Sequence, residues 1–198
     1  QFTEDKSPPD IGIPDHYVRE WFFSTTSQHF LSSRNSLKWQ LDFAGQHEDT
    51  EWRSCSPANS IGIRLSPRST LVCGDINENG TNQRTDLDFQ DTYIGEAPWK
   101  LVSGFHLQHQ RAISQTYYDG SVSRSTAQLF ANAEYHFLPQ WSATIGGSQE
   151  YADTIGQNFS PRAALLFFPS EEHSLRAVYS EAIRTPDLFE RKANWSYT

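Results

Sequence analysis

The stretch NFSPRAALLFFPSEEHSLRAVYSEAIRTPDLFE, which runs from Asn158 to Glu190, decides the fold of this chain. Its pattern predicts a strand over Phe159–Phe168, a tight turn over Pro169–His173 and a second strand over Ser174–Ala182. The polar run Arg184–Glu190 follows, and its Thr-Pro step favours an extended backbone that ends the strand. The stretch therefore predicts an antiparallel hairpin with a polar exit.

The sequence before this hairpin repeats the same plan. Side chains on a strand point alternately to its two faces, so alternating apolar and polar residues predict strands. Leu37–Phe43 alternates without error, while an additional strand at His16–Ser24 alternates poorly. The alternation predicts seven strands, over residues 37–43, 84–93, 99–110, 125–137, 141–150, 159–168 and 174–182. No helical periodicity of useful length is present, which predicts an all-β antiparallel fold.

The connections between these strands alternate between long and short. Residues 44–83 and 111–124 form long polar connections, whereas residues 94–98 and 138–140 form short ones. Up-and-down membrane barrels have long loops outside the cell and short turns on the periplasmic side, which produces this rhythm. We therefore expect strands that run up and down in the wall of a barrel.

Aromatic residues accompany the short connections, at Tyr93 and Trp99, at Phe137 and Trp141, and at Phe168. Trp and Tyr prefer the membrane–water interface, so this pattern predicts an aromatic girdle. Ordinary core aromatics at strand ends are the alternative. The same apolar face is rich in alanine, at positions 127, 131, 133, 143, 163 and 177. Lipid fills the space beside small residues, whereas a soluble core needs large side chains.

Composition excludes several classes of protein. The formal net charge of −8, without a basic run, argues against a nucleic-acid partner. The sequence has no apolar run long enough for a transmembrane helix, which needs roughly 20 residues. The chain contains no Met and shows no signal peptide, so we expect a mature or excised piece of a longer protein.

The two cysteines, Cys55 and Cys73, both fall in the connection over residues 44–83, which we expect to be a long extracellular loop. A pair within one loop predicts a disulfide formed in an oxidising compartment. Two free cytosolic thiols are the alternative. In the chain-entropy model a bridge that closes a loop of this size stabilises by about 3 kcal/mol.

No catalytic motif is present, since the sequence lacks Gly-x-Ser-x-Gly, His-Glu-x-x-His and a phosphate-binding glycine loop. One stretch resembles part of a calcium loop, with Asp75, Asn77, Asn79, Gly80 and Asp86 at positions 1, 3, 5, 6 and 12. Position 12 is Asp rather than Glu, and no helices flank the stretch. A polar turn that runs into a strand is the alternative, and we predict neither an enzyme nor a metal or cofactor.

The sequence resembles the barrel of TonB-dependent outer-membrane receptors. The matching segments are Ser160–Arg162, Leu175–Ser180 and Arg184–Glu190, together with Leu129–Tyr135. The resemblance is specific over residues 125–190 and rests on pattern and loop rhythm upstream. Residues 146–150 lack the Arg of the family's usual Gly-x-Arg pattern at this strand.

The resemblance implies a barrel of about 22 strands with a plugged lumen. Residues 1–198 would then be a fragment of the barrel wall without the plug domain. The parent receptor would import a scarce nutrient, a ferric siderophore, across the bacterial outer membrane. Its partners would be outer-membrane lipid, the plug domain of the same chain, a TonB-type energy coupler and a siderophore-like ligand.

Aromatic and Arg side chains in the long connections are the candidates for ligand contact, because they suit stacking on and charge pairing with anionic chelates. These candidates are Trp52, Arg53, Tyr117, Tyr118, Arg124, Arg184 and Trp195. Each could instead be a plain loop residue, and Arg184 with Glu190 could be structural.

Two other classes of function stay open at this point. A soluble secreted β-sandwich that binds carbohydrate or protein would pack its apolar face on a second sheet. A passive porin-type channel would share the barrel but would carry a charged constriction loop and no plug.

Overall fold

The computed structural model describes residues 15–57, 71–96, 98–153, 156–184 and 186–193. These residues form strands and two short helices, and no helix among them is long and apolar enough to cross a membrane. The strands are β1 (Asp15–Ser32), β2 (Asn35–Pro57), β3 (Leu71–Asn77), β4 (Gly80–Ile94), β5 (Trp99–Ser114), β6 (Gly120–Leu138), β7 (Trp141–Ala152), β8 (Gly156–Ser170) and β9 (His173–Ser180). The helices are α1 (Gln115–Tyr118) and α2 (Leu188–Lys192).

The strands form one antiparallel sheet in the order β1-β2-β4-β5-β6-β7-β8-β9, and β3 pairs with the far part of β2. With β3 set aside, each strand lies beside the next along the chain, as in an up-and-down barrel. The predicted all-β antiparallel class is confirmed. The poorly alternating segment His16–Ser24 lies within β1 and pairs with β2.

The strands next to the long connections extend further than the sequence predicted. Residues 44–83 were expected to lack a sustained strand, yet β2 continues to Pro57, β3 occupies Leu71–Asn77 and β4 begins at Gly80. The connection over residues 111–124 is shortened in the same way by β5 and β6. Backbone pairing needs no apolar side chain, so a strand continues after its apolar alternation ends.

The two ends of the sheet differ in their connections. At one end, here called the turn end, the strands are joined through residues 33–34, 95–98, 139–140 and 171–172. The other end, here called the loop end, carries α1, α2 and the β2–β3 hairpin. The turn-end connections are short, as the rhythm in the sequence predicts, but the loop end has a short connection as well, since β7 ends at Ala152 and β8 begins at Gly156.

Aromatic side chains form a continuous row at the turn end. The ring centroids of Trp99 and Tyr135 lie 4.2 Å apart, and Tyr135 is followed by Phe137 at 6.4 Å. Phe137 lies 6.2 Å from Trp141, which stacks on Phe167 at 4.2 Å. The row crosses from β5 to β8 along the edge where the short turns begin.

The sheet has an apolar face and a polar face. On the apolar face Leu87, Leu107 and Ala127 stand directly opposite one another on successive strands. Leu129 and Ile145 on this face are 63% and 70% exposed, so no protein layer covers them. The described residues form a single sheet, which does not fit the sandwich alternative.

Two glycines allow a close approach between strands. A Cβ at Gly104 would overlap the carbonyl oxygen of Phe89 and would lie 2.8 Å from the ring of Phe130. A Cβ at Gly146 would overlap the carbonyl oxygen of Ala131. Because the overlapping atoms belong to the backbone, these positions accommodate only glycine without a shift of the neighbouring strand.

Candidate ligand-facing surface at the loop end

The polar face carries a lattice of hydrogen-bonded side chains. Asp86 is only 4% exposed, and it lies 2.6 Å from Nε of Arg84 and accepts a 2.8 Å hydrogen bond from Gln108. His106 bridges two carboxylates, with Nδ1 2.8 Å from Asp88 and Nε2 3.6 Å from Asp86. These partners satisfy the buried carboxylate and fix the polar side chains of β4 and β5.

Residues 186–193, here called the strap, are held to the polar face at the loop end. Nη1 of Arg124, on β6, donates a 2.5 Å hydrogen bond to the carbonyl oxygen of Pro186. The ring of Phe189 meets the ring of Tyr117 at 5.5 Å, and Leu188 is only 3% exposed. The hydrogen bond from the charged Arg124 side chain and the apolar side chains of Leu188 and Phe189 therefore hold the strap in place.

The short helix α2 in the strap begins with a capping box. The Asp187 carboxylate accepts a 2.7 Å hydrogen bond from the backbone N–H of Glu190, and the Glu190 carboxylate accepts one of 3.0 Å from Asp187 N–H. This reciprocal pair satisfies N–H groups that a helix start leaves without intrahelical partners. Arg184 contacts the other oxygen of Glu190 at 2.5 Å, so its guanidinium supports the same turn.

The helix α1 lies in the β5–β6 connection and contacts the β2–β3 hairpin. Ser114 caps it by accepting a 3.3 Å hydrogen bond from the N–H of Tyr117, and Asp119 ends it in the left-handed conformation with φ of 51°. The hydroxyl of Thr116, which is buried, donates to the carbonyl oxygen of Asn77 at the end of β3. Burial, followed by the negative charge of Asp187, raises the pKa of Tyr118.

The β2–β3 hairpin is fixed at its base by asparagine side chains. Oδ1 of Asn79 accepts a 2.7 Å hydrogen bond from the N–H of Thr50, which is buried. Asn77 and Asn79 both donate to Oε1 of Glu51, at 2.6 Å and 2.7 Å. These bonds bridge the break between β3 and β4, so the two strands run as one line along β2.

The predicted disulfide between Cys55 and Cys73 is present, and the two residues stand directly opposite each other in the β2–β3 register. Their Cα atoms are 4.0 Å apart and their separation in sequence is 18. The bridge lies beyond the asparagine contacts, so the hairpin is fixed both at its base and further along.

The calcium loop suggested by the spacing of Asp75, Asn77, Asn79 and Asp86 is not formed. Residues 80–86 lie on β4, and an extended strand of that length spans roughly 20 Å, whereas a calcium loop must curl around the ion. Asp86 instead pairs with Arg84 on the polar face. Within the described ranges no group of three or more His, Cys, Asp or Glu could hold a metal. Asp75 and Asn77 lie on β3, and residues 78–79 connect it to β4.

The structure separates the candidate ligand contacts. Trp52 and Arg53 are neighbours on β2, so their side chains point to opposite faces of the hairpin. Tyr117 and Tyr118 lie on α1, and Arg124 lies beside them through the strap. Arg184 is engaged with Glu190, while Trp195 lies outside the described residues.

Sequence reasoning missed a cavity of about 460 Å³ on the polar face, between β1 and β5. Its lining includes Glu20, Phe22, Ala44, Gln46, Asn82, Arg84 and Gln110. All of them occupy the polar face in the strand register. The alternation of apolar and polar residues could have assigned these residues to the polar face. On β2, however, the alternating segment stops at Phe43, before Ala44 and Gln46.

Comparisons with known proteins agree with this architecture. A family model described as "TonB dependent receptor-like, beta-barrel" matches residues 3–198. A search of curated proteins finds no significant match.

Among solved structures, the chain is similar to a mutant of the ferric enterobactin receptor from Pseudomonas aeruginosa, with a TM-score of 0.66 and 16% identity. That match covers 87% of this chain and 26% of the receptor. The siderophore receptor PirA of the same organism gives a TM-score of 0.55 at 13% identity, covering 86% of this chain and 36% of that receptor. A second mutant of the enterobactin receptor gives 0.53 at 14%, covering 92% and 36%. The chain thus spans about a quarter to a third of the length of these structures.

Proposed function

The chain belongs to the family of TonB-dependent receptor-like β-barrels, and on this basis we propose that it forms part of the wall of a bacterial outer-membrane receptor that imports a ferric siderophore. The family match over residues 3–198 is the observation that carries the proposal. The solved structures of similar fold, which are named as siderophore receptors, support the choice of ligand class. The family consists of transporters and receptors, and we propose no catalytic activity.

The two faces of the sheet support a membrane position. The exposed apolar face would contact outer-membrane lipid, and the aromatic row from Trp99 to Phe167 would lie at the periplasmic interface. The polar face would line the lumen and contact the plug domain of the same parent chain. The energy for transport would come through the parent from a TonB-type coupler.

Within this piece, we propose that the ligand meets Trp52 on the hairpin and then the cavity that contains Phe22 and Arg84. Arg84 is the cation in that lining, and its side chain is 55% exposed although it pairs with Asp86. Arg124 and Arg184 hold the strap in place rather than the ligand. Arg53 points away from Trp52, which makes it a poorer candidate.

Uptake of iron-55 from a panel of ferric siderophores, measured on cells that produce the intact protein, tests this proposal. We expect one ferric chelate to be imported and its uptake to fall about tenfold in the Trp52→Ala and Arg84→Ala variants, because each removes a contact in the ligand path. Arg34→Ala is the matched control, since Arg34 lies in a short turn and pairs with Glu96. Import of a nutrient that contains no iron chelate, with none of the siderophores taken up, would refute the proposed ligand.

A further inference from the structure

A second cavity, of about 200 Å³, lies where the polar face of β2, β4 and β5 meets α1 and the strap. Its lining includes Glu48, Glu78, Ser114, Tyr117, Tyr118 and Phe189. Pockets for drug-sized ligands usually measure about 300–1,000 Å³, so this one has room for a compact molecule or a single chemical group.

Three aromatic rings meet at this cavity in nearly perpendicular planes. Tyr117 and Tyr118 have centroids 6.5 Å apart with planes at 66°, and Tyr117 and Phe189 are 5.5 Å apart at 77°. Perpendicular rings form a corner rather than a stack. In an edge-to-face pair the positive edge of one ring points to the negative face of the other, and a ring face that stays open to the cavity attracts a cation.

The charged groups of the cavity favour the same class of ligand. Glu48 and Glu78 are both half-buried carboxylates, and among the described lining residues none is Lys or Arg. The imidazole of His16 lies 3.4 Å from the Glu48 carboxylate. The phenol of Tyr118 has a raised pKa and stays neutral, so the negative charge of the lining comes from the two glutamates.

We propose that this cavity is a binding site for a compact organic cation, with the cationic group against the rings of Tyr117, Tyr118 and Phe189 and its charge balanced by Glu48 and Glu78. Quaternary ammonium and primary amine groups are the chemical classes that fit. An anionic iron chelate is disfavoured here by the two carboxylates. The proposal is therefore independent of the import of a ferric siderophore.

Phe189 belongs to the strap, so the cavity is complete only when the strap is seated. A ligand that binds the complete cavity stabilises that arrangement by mass action. We expect the cation to slow amide hydrogen exchange over residues 188–193, and to leave the strands at the turn end unchanged.

Binding of choline and of its neutral carbon isostere, 3,3-dimethyl-1-butanol, tests the proposal on the intact protein in detergent micelles. The two molecules share size and shape and differ in the positive charge. We expect saturation-transfer NMR to detect choline with an affinity at least about tenfold above that of the isostere. Equal affinities, or no binding of choline, would overturn the proposal.

Variants locate the site. Glu78→Gln removes one charge and keeps the backbone contact of residue 78 with Thr50, so the fold is retained and choline binding should weaken about tenfold. Tyr118→Leu should weaken it similarly, whereas Tyr118→Phe keeps the ring and should retain it. Glu172→Gln, in an exposed turn at the turn end, is the control with unchanged binding. Choline binding that survives both Glu78→Gln and Tyr118→Leu would contradict the assigned site, whatever the outcome of iron uptake.

Discussion

The turn end and the loop end of this sheet are stabilised in different ways. The turn end uses short connections and a row of aromatic rings from Trp99 to Phe167. The loop end uses polar contacts between residues far apart in sequence, such as Arg124 with Pro186 and Thr116 with Asn77. The structure of the turn end follows from the local sequence pattern and from the solvent that surrounds the sheet. The structure of the loop end depends on particular pairs of side chains, so single substitutions should affect it more selectively.

Removal of the disulfide should produce the largest difference in local stability between the two ends. Replacing Cys55 and Cys73 together by Ser removes a bridge with a sequence separation of 18, so opening of the hairpin should become easier by about 3 kcal/mol. Amide hydrogen exchange over residues 51–57 and 71–77 measures this effect. Exchange at the turn end serves as the internal control, and an unchanged hairpin would show that the asparagine contacts alone fix it.

Gly104 tests whether close packing of strands matters as much as the loop-end contacts. Gly104→Ala should lower the free energy of unfolding by about 1–3 kcal/mol, because the added Cβ overlaps the backbone oxygen of Phe89. Urea unfolding in detergent micelles, followed by Trp fluorescence, measures the change. Gly74→Ala is the matched control, since a Cβ there meets nothing within 4 Å. Equal effects of the two substitutions would contradict this explanation.

Asp187 tests the local stability of the strap. Asp187→Ala breaks the capping box and should destabilise α2 by about 1 kcal/mol, whereas Asp187→Asn keeps a capping oxygen and should have a smaller effect. Hydrogen exchange of residues 188–192 measures the difference. If both variants exchange like the wild type, Leu188 and Arg124 hold the strap without the cap.

The smallest effect is expected in the aromatic row. A double-mutant cycle of Trp99→Leu and Tyr135→Leu should give a coupling of about 0.5–1.5 kcal/mol, because the rings are 4.2 Å apart. Unfolding in detergent measures each variant. Trp99→Leu combined with Tyr151→Leu at the other end should be additive, and coupling of that distant pair instead would argue against a local contact.

Sequence alone predicted most of the sheet in which apolar and polar residues alternate. The alternation of Leu37–Phe43 and of residues 125–137 located β2 and β6, and the short turns followed from the gaps between strands. The prediction of strands failed over residues 44–57, because the segment from His47 to Glu51 is polar on both faces. Pairing with β1 and β3 makes that segment a strand, and pairing partners are not visible in a local pattern.

The loop end was less predictable for a similar reason. The sequence from Asp187 to Glu190 has the Asp-x-x-Glu form of a capping box, which could have indicated the start of α2. The helix is too short to show helical periodicity, so the pattern of apolar and polar residues did not reveal it. The contacts that join Tyr117, Phe189 and Glu78 in one cavity depend on the meeting of three separate connections, which only the structure shows.

Gly104 and Gly146 limit the substitutions that the gene for this protein can accept. Every amino acid other than glycine carries a Cβ or its equivalent, so each missense mutation at either codon introduces the same overlap with a neighbouring backbone oxygen. Neither position has a conservative replacement. Descendants of this gene should therefore keep these two glycines even where other positions of the sheet diverge, and a lineage that lost one of them should show a compensating shift in the adjoining strand.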